Sequence, residues 1–90
     1  MKTVHLVVIG KVQGVYFRNT AMLIAEKLSV TGWIKNTSEA NVEAMITGDE
    51  NAVKEFIKWC KIGPERAIVK EVTISKKPET LFDSFRILRN

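Results

Sequence analysis

Alternating apolar and polar positions predict five short β-strands in this chain. The first extends from Thr3 to Val12 and is apolar on both faces, which is typical of a central strand that is largely covered. The segment TSEA is typical of a hairpin connection, and Lys76 to Glu79 of a solvated loop. The other strands are indicated, in chain order, by Val30 or Gly32 to Asn36, by Val42, Ala44 and Ile46, by Ile68, Val72 and Ile74, and by Phe85 with Ile87.

Two segments instead place apolar residues three and four positions apart, which is the spacing of an amphipathic helix. The first helix is predicted from Arg18 to about Ser29, and the second begins after Asp49, a good N-cap residue. Gly63 followed by Pro64 marks the end of the second helix. The apolar stripes consist of Ala21, Ile24, Ala25 and Leu28 in the first helix and of Val53, Phe56, Ile57 and Cys60 in the second.

The predicted order of elements is β-α-β-β-α-β followed by a short terminal strand. This is the split βαβ arrangement of ferredoxin-like α+β folds, in which two helices cover one face of a mainly antiparallel sheet. Because the chain has 90 residues, of which 46% are hydrophobic, we expect residues 1–90 to form a single domain. Many unrelated functions occur on this fold, so the function has to be argued from particular residues.

Composition excludes several kinds of site. A single cysteine, Cys60, and a single histidine, His5, rule out an internal disulfide framework and metal sites built from several cysteines or histidines. The same usage indicates a reducing compartment, and we expect the cytoplasm. No apolar run approaches the roughly 20 residues that span a bilayer. The net charge of +4 favours anionic ligands, without deciding between a phosphate metabolite and a nucleic acid.

Most remaining polar and reactive residues have simple structural interpretations. We expect a structural or solvated role for His5 and core packing for Cys60, which falls on the apolar stripe of the second helix. The basic residues of the C-terminal third are expected to form a solvated surface; they are Lys70, Lys76, Lys77, Arg86 and Arg89.

The strongest candidate for chemistry is the segment VIGKVQGVYFR, from Val8 to Arg18. It leads from a strand through Gly10 and Gly14 into a helix, and such a junction points backbone N–H groups into one concavity at the positive end of the helix. Arg18 adds a planar guanidinium whose donors suit phosphate oxygens. The segment is not a Walker motif, since it lacks GK[ST]. On these residues alone, a tight turn with a solvated arginine is the simpler explanation.

A second candidate, Asn36, ends the segment GWIKN. In the ferredoxin-like order this strand can lie near the first, which would place Asn36 beside the glycine-bracketed loop. A carboxamide both donates and accepts hydrogen bonds, so it can hold a water molecule in one orientation. Taken alone, Asn36 is more simply an asparagine that begins a turn.

Together the two segments closely resemble the motifs of the acylphosphatase family, and length and element order match over essentially the whole chain. The resemblance implies hydrolysis of acyl phosphates to a carboxylate and inorganic phosphate. It also implies that Arg18 and the backbone N–H groups from about Val15 to Arg18 hold the phosphate, and that Asn36 positions the attacking water. Gln13 and Gly14 would shape the loop. The candidate catalytic residues are therefore Arg18 and Asn36, and the candidate substrate-binding residues are Gln13, Gly14, Val15, Tyr16, Phe17 and Arg18.

The chemistry of the implied reaction is compatible with so few side chains. The bond that breaks is a mixed anhydride, and its leaving carboxylate has a conjugate-acid pKa of about 4, so it departs without a general acid. Catalysis then reduces to positioning and to positive charge on the phosphoryl oxygens. We therefore expect no cofactor and no metal. The expected partner is a small acyl phosphate, with phosphate or other small anions also binding in the loop; we expect a monomer that binds neither nucleic acid nor membrane.

The chain departs from the family pattern at Ala40, where a glycine is usual, and at Ile34, where alanine or valine is usual. A glycine at the turn commonly has positive φ, a conformation that costs alanine about 1 kcal/mol. We expect Asn41 or its neighbour to take the left-handed conformation in place of Ala40, since asparagine tolerates it. An altered turn next to Asn36 would shift the water and lower the rate.

Two other functions are compatible with the sequence. RNA-recognition domains share this element order, but they carry exposed aromatic residues on central strands, and the first and third strands here lack such a pair. A module that binds phosphate or carbamoyl phosphate without turnover is the third hypothesis. An RNA titration, an activity assay and calorimetry with inorganic phosphate distinguish the three.

Overall fold

A computed structural model describes residues 1–89 of the chain. It contains five strands and two helices: β1 (Lys2–Lys11), α1 (Phe17–Leu28), β2 (Thr31–Asn36), β3 (Val42–Gly48), α2 (Glu50–Ile62), β4 (Ile68–Lys77) and β5 (Phe85–Ile87). The strands form one sheet in the order β4-β1-β3-β2-β5, in which only the β2–β5 pair is parallel. The structure confirms the predicted ferredoxin-like α+β fold.

The core lies between the helices and one face of the sheet. Val4, Leu6 and Val8 of β1 are buried there, and α1 turns its small residues Ala21 and Ala25 toward the sheet. Larger side chains on α2, including Phe56, fill the remaining space. Burying these apolar side chains supplies most of the stabilisation of a small domain. A shift of one residue would move them to the other face of the sheet, so their burial also fixes the register of the strands.

The predicted strand at Ile68, Val72 and Ile74 exists, but these residues do not share one face. Val72 pairs with Val8 and Val69 with Gly10, whereas Ile68 pairs with Lys11 on the other face and is exposed. The pairing shifts between Ile9 and Gly10, so that β4 contributes one extra residue there, which is a β-bulge. The alternation of side chains between the two faces of β4 is therefore opposite before and after the bulge.

The predicted solvated loop begins later than expected. Lys76 and Lys77 belong to β4 and pair with Val4 and Thr3. β4 is an edge strand and most of its residues are exposed, so polar side chains there do not prevent pairing.

The connection between β4 and β5 crosses the face of the sheet that the helices leave open. Thr80 is fixed there by the hydroxyls of Thr3 and Thr47, since its N–H donates to Thr3 Oγ1 at 2.9 Å and its carbonyl accepts from Thr47 Oγ1 at 2.6 Å. This crossing carries the chain to the far edge, where β5 pairs with β2. Beyond β5, the Leu88 N–H donates to the Ile34 carbonyl at 2.8 Å, so the chain continues along β2.

The expectation for the β2–β3 turn is wrong. Ala40 itself has φ 69°, and Asn41 is not among the residues of positive φ within residues 1–89. The turn is closed by hydrogen bonds from the Thr37 N–H to the Asn41 carbonyl (2.9 Å) and from the Ala40 N–H to the Thr37 carbonyl (3.2 Å). These hydrogen bonds hold Ala40 in the left-handed region, at a cost of about 1 kcal/mol. Its methyl group is exposed.

Residues 1–89 include no helix that is both long enough and apolar enough to cross a bilayer.

Candidate active site

The loop between β1 and α1 is built from alternating buried and left-handed residues. Val12 and Val15 are buried in the core, whereas Gly14 (φ 72°) and Tyr16 (φ 63°) have left-handed backbones. A Cβ atom at Gly14 would meet no heavy atom within 4 Å, so the backbone conformation and not space favours glycine there. The buried valines anchor the loop, and the left-handed backbones of Gly14 between them and of Tyr16 after them change the direction of the chain.

The start of α1 presents unused hydrogen-bond donors. The backbone N–H groups from Val15 to Asn19 donate to no acceptor within residues 1–89. The carbonyl of Tyr16 accepts from both the N–H (3.1 Å) and the hydroxyl (2.8 Å) of Thr20, which fixes the first turn. The first turn of α1 holds no acidic residue. An anion at this point gains N–H donors together with the positive end of the helix.

The residues that carry four of these donors, Tyr16 to Asn19, line a cavity of about 340 Å³. Arg18 and Asn36, the two predicted catalytic residues, both line it, so the structure brings together the two sequence motifs. The predicted binding residues Gly14, Tyr16 and Phe17 also line it, although the Phe17 ring is buried against Trp59, with 5.1 Å between ring centroids. Val12, Asn19 and Arg89 complete the lining.

Gln13 does not line this cavity. Its Nε2 atom donates to the carbonyls of Thr37 (2.9 Å) and Asn41 (2.8 Å), across the gap between the β1–α1 loop and the β2–β3 turn. The side chain therefore joins the two segments that carry Arg18 and Asn36. Val15 does not line the cavity either, because its side chain is in the core; only its N–H remains for a ligand.

Asn36 is the last residue of β2 and follows buried Ile34 on the helix-covered face. Its Oδ1 atom is buried and has no hydrogen-bond partner within residues 1–89. Buried polar side-chain atoms are usually paired, and leaving one unpaired costs about 1–3 kcal/mol. An unpaired carboxamide at the wall of a cavity is therefore a candidate for binding a ligand or a water molecule.

Arg89 is the lining residue that the sequence did not reveal, since its place depends on the parallel pairing of β5 with β2.

Two other reactive residues, His5 and Cys60, lie outside the cavity, as expected. His5 Nε2 lies 2.6 Å from Glu43 Oε2 on the open face of the sheet, and burial raises the pKa of the Cys60 thiol far above its usual range. Within residues 1–89, no group of three or more His, Cys, Asp and Glu side chains is placed to hold a metal.

Comparison with known proteins identifies the family of the chain. A family model described as acylphosphatase matches residues 4–87. An acylphosphatase of Thiobacillus denitrificans is 43% identical over 84% of this chain and 85% of its own length, and one of Syntrophus aciditrophicus is 43% identical over 98% and 93%. The solved structure of an acylphosphatase from Coxiella burnetii superposes with a TM-score of 0.93, at 34% identity, over 97% of this chain and 92% of that one. The chain belongs to the acylphosphatase family.

Proposed function

We propose that this protein hydrolyses acyl phosphates to a carboxylate and inorganic phosphate in the cavity between Arg18 and Asn36. Family membership supports the reaction class. The observation that supports the assignment of residues is the set of N–H groups from Val15 to Asn19, unpaired within residues 1–89, beside a guanidinium and a carboxamide in one cavity.

The phosphoryl group binds at the start of α1. Its oxygens accept hydrogen bonds from the backbone N–H groups and from the planar fork of Arg18, which is half-buried. Within residues 1–89, no carboxylate lies within 4.0 Å of the Arg18 guanidinium, so an anionic substrate displaces no ion pair among these residues. Gln13 holds the loop in this shape but does not itself contact the phosphate.

Asn36 orients the water that attacks phosphorus. Hydrogen bonding to a water would satisfy the carboxamide oxygen that is unpaired within residues 1–89. That oxygen is shielded from solvent, so the carboxamide rotates about χ2 to bring it to the water. The rotation costs little free energy, because the rotamer distribution about this torsion is broad.

The reaction is a single displacement. The water oxygen forms a bond to phosphorus while the bond from phosphorus to the acyl oxygen breaks, and the electron pair of that bond leaves with the carboxylate. The water's proton passes to a phosphate oxygen of the substrate. Charge that spreads over the phosphoryl oxygens in the transition state is stabilised by Arg18 and the N–H groups. No residue has to protonate the leaving group, because a carboxylate is stable as an anion at neutral pH.

The proposal extends to the biological unit. Residues 1–90 act as one monomeric domain on a small-molecule substrate in the cytoplasm, with no metal, cofactor or nucleic acid. The lone buried cysteine supports a reducing compartment. On the open face of the sheet, β1 and β3 carry His5, Val7, Glu43 and Met45, which do not form the aromatic platform of RNA-recognition domains.

The decisive experiment measures hydrolysis of benzoyl phosphate and of acetyl phosphate by the purified chain in excess chelator. We expect turnover of both substrates well above the spontaneous rate. If both rates equal the spontaneous rate while calorimetry shows that inorganic phosphate binds, the chain is a phosphate-binding module and the proposed activity is wrong. Tight, salt-dependent binding of single-stranded RNA without hydrolysis would instead support the nucleic-acid alternative.

A further inference from the structure

Arg89 lies beside Asn36, and the register of the parallel strands explains why. In the β2–β5 pair, Gly32 pairs with Phe85 and Ile34 with Ile87. Continuing this register by two residues brings Arg89 level with Asn36. The hydrogen bond from the Leu88 N–H to the Ile34 carbonyl (2.8 Å) shows that the chain follows β2 beyond the last paired residue.

The side chain of Arg89 is on the face of the sheet that carries the site. Phe85 and Ile87 pack on the helix-covered face, and successive residues of an extended chain alternate between faces. Arg89 therefore projects to the same face as Asn36, in agreement with its place in the cavity wall. Arg86 lies on the opposite face of the sheet, is exposed, and lines a separate groove with Trp33.

Nothing within residues 1–89 neutralises this second guanidinium. No carboxylate of these residues lies within 4.0 Å of Arg89 or of Arg18, so the cavity combines two arginines with the positive end of α1. A cavity of this kind favours a ligand with more than one negative charge, such as the phosphoryl group of an acyl phosphate.

We propose that Arg89 is a second phosphate-binding residue, which contacts the phosphoryl oxygens from the side of Asn36. This inference rests on the proposed function. In an in-line displacement, the attacking water and the leaving oxygen lie on opposite sides of phosphorus. Because Arg89 neighbours the residue that orients the water, it faces the phosphoryl group and the water, not the leaving carboxylate. Its contribution is therefore the same for any acyl group.

The experiment compares Arg89→Gln with Arg86→Gln, a change of equal charge on the same segment but on the other face. For each variant, kcat and KM are measured with benzoyl phosphate and acetyl phosphate, together with the competitive inhibition constant of inorganic phosphate. We expect Arg89→Gln to raise that constant, and KM for both substrates, about tenfold, as loss of one charge-assisted hydrogen bond predicts. Arg86→Gln should stay within about twofold of the wild type. Arg89→Lys should recover part of the affinity.

The inference is wrong if Arg89→Gln behaves like Arg86→Gln, or if its effect is confined to one of the two acyl groups. A thermal melt of each variant shows whether the fold is intact. If Arg89→Gln melts much lower, the inhibition constant of phosphate is measured well below its melting temperature, and wild-type affinity for phosphate there overturns the inference. If the wild-type chain has no activity, the proposed function fails, but calorimetric titration of the same variants with phosphate still tests Arg89 as a binding residue.

Discussion

The two helices begin differently, although both pack on the same face of the sheet. α2 begins at Asp49 and Glu50, two acidic residues, whereas the first turn of α1 has no acidic residue and includes Arg18. Neither N-cap side chain makes a capping hydrogen bond, and Tyr16, the N-cap of α1, has a left-handed backbone. The positive end of α2 is therefore compensated by its own carboxylates, while that of α1 is not.

The two helices therefore differ in how much their first turns contribute to stability. Acidic residues in the first turn stabilise a helix by about 0.3–1 kcal/mol each. At α1 this stabilisation is absent, and a cation stands where an acid would be favourable. An anionic substrate can supply the missing interactions. The start of α1 is thus less stable on its own and better suited to bind phosphate.

The largest expected effect follows from removing the cation from α1. We expect Arg18→Ala to lower kcat/KM for benzoyl phosphate about a thousandfold or more, since an arginine on a transferring phosphoryl group contributes that much. Arg18→Lys should recover little, because a point charge cannot form the planar fork. Arg66→Ala, at an exposed arginine that does not line the cavity, is the control and should retain wild-type kinetics. Full activity of Arg18→Lys would show that only the charge matters.

Asn36 is expected to contribute less, because in the proposed mechanism it orients the water and does not bind the phosphoryl group. Asn36→Ala should lower kcat about a hundredfold, the usual effect of removing one oriented hydrogen-bonding group. Inhibition by inorganic phosphate should change little, because the N–H groups and Arg18 remain. Steady-state kinetics with phosphate as inhibitor separates the two effects. An equal loss in kcat and in phosphate affinity would place Asn36 on the phosphate.

Much of this arrangement is visible in the sequence, and the exceptions have physical causes. Period-two and period-3.6 patterns located every strand and both helices to within a few residues, because burial on one face imposes those periods. They misplaced Ile68, since a bulge adds a residue that no alternation reveals. They also ended β4 too early, because polar residues on an edge strand look like a loop.

At the site, the motifs predict Arg18 and Asn36, which line one cavity, but they do not indicate how the two are held together. The bonds from Gln13 to the β2–β3 turn join segments distant in sequence, and nothing local indicates them. Arg89 is exposed, as its basic segment predicts, but its place beside Asn36 depends on strand pairing that nothing local indicates. Ala40 was expected to avoid positive φ, yet hydrogen bonds across the turn outweigh its local preference.

The comparison of the helices can be tested by giving α1 an acid of its own. Asn19 is exposed, lies in the first turn of α1 and lines the cavity. Asn19→Asp should raise the free energy of unfolding by a few tenths of a kcal/mol through the helix dipole. It should also lower kcat/KM about tenfold, because the new carboxylate repels the substrate. Denaturant unfolding and kinetics on the same sample test both signs. A gain in both stability and activity would contradict the trade-off.

The strain at the β2–β3 turn offers a smaller and purely structural test. Ala40→Gly should raise the free energy of unfolding by about 1 kcal/mol, because glycine adopts φ 69° without a steric penalty. The gain is reduced by the greater entropy of glycine in the unfolded chain. Thermal unfolding measures it, and Ser38→Gly in the same exposed turn, at a residue without positive φ, is the control and should destabilise the protein. Kinetics of Ala40→Gly then reports whether the turn affects Asn36.

The smallest effect is expected at α2, where the charge acts on the helix alone. Asp49→Asn keeps the shape of the side chain and removes its charge from the exposed start of α2. We expect the free energy of unfolding to fall by a few tenths of a kcal/mol, and the fall to shrink in high salt, because the interaction with the helix dipole is electrostatic and exposed. Since Asp49 does not line the cavity, kcat and KM should not change. Removing a charge at the start of α2 is therefore expected to change stability alone, whereas adding a charge at the start of α1 changes both stability and activity. A loss of activity in Asp49→Asn would mean that the two helix starts are coupled.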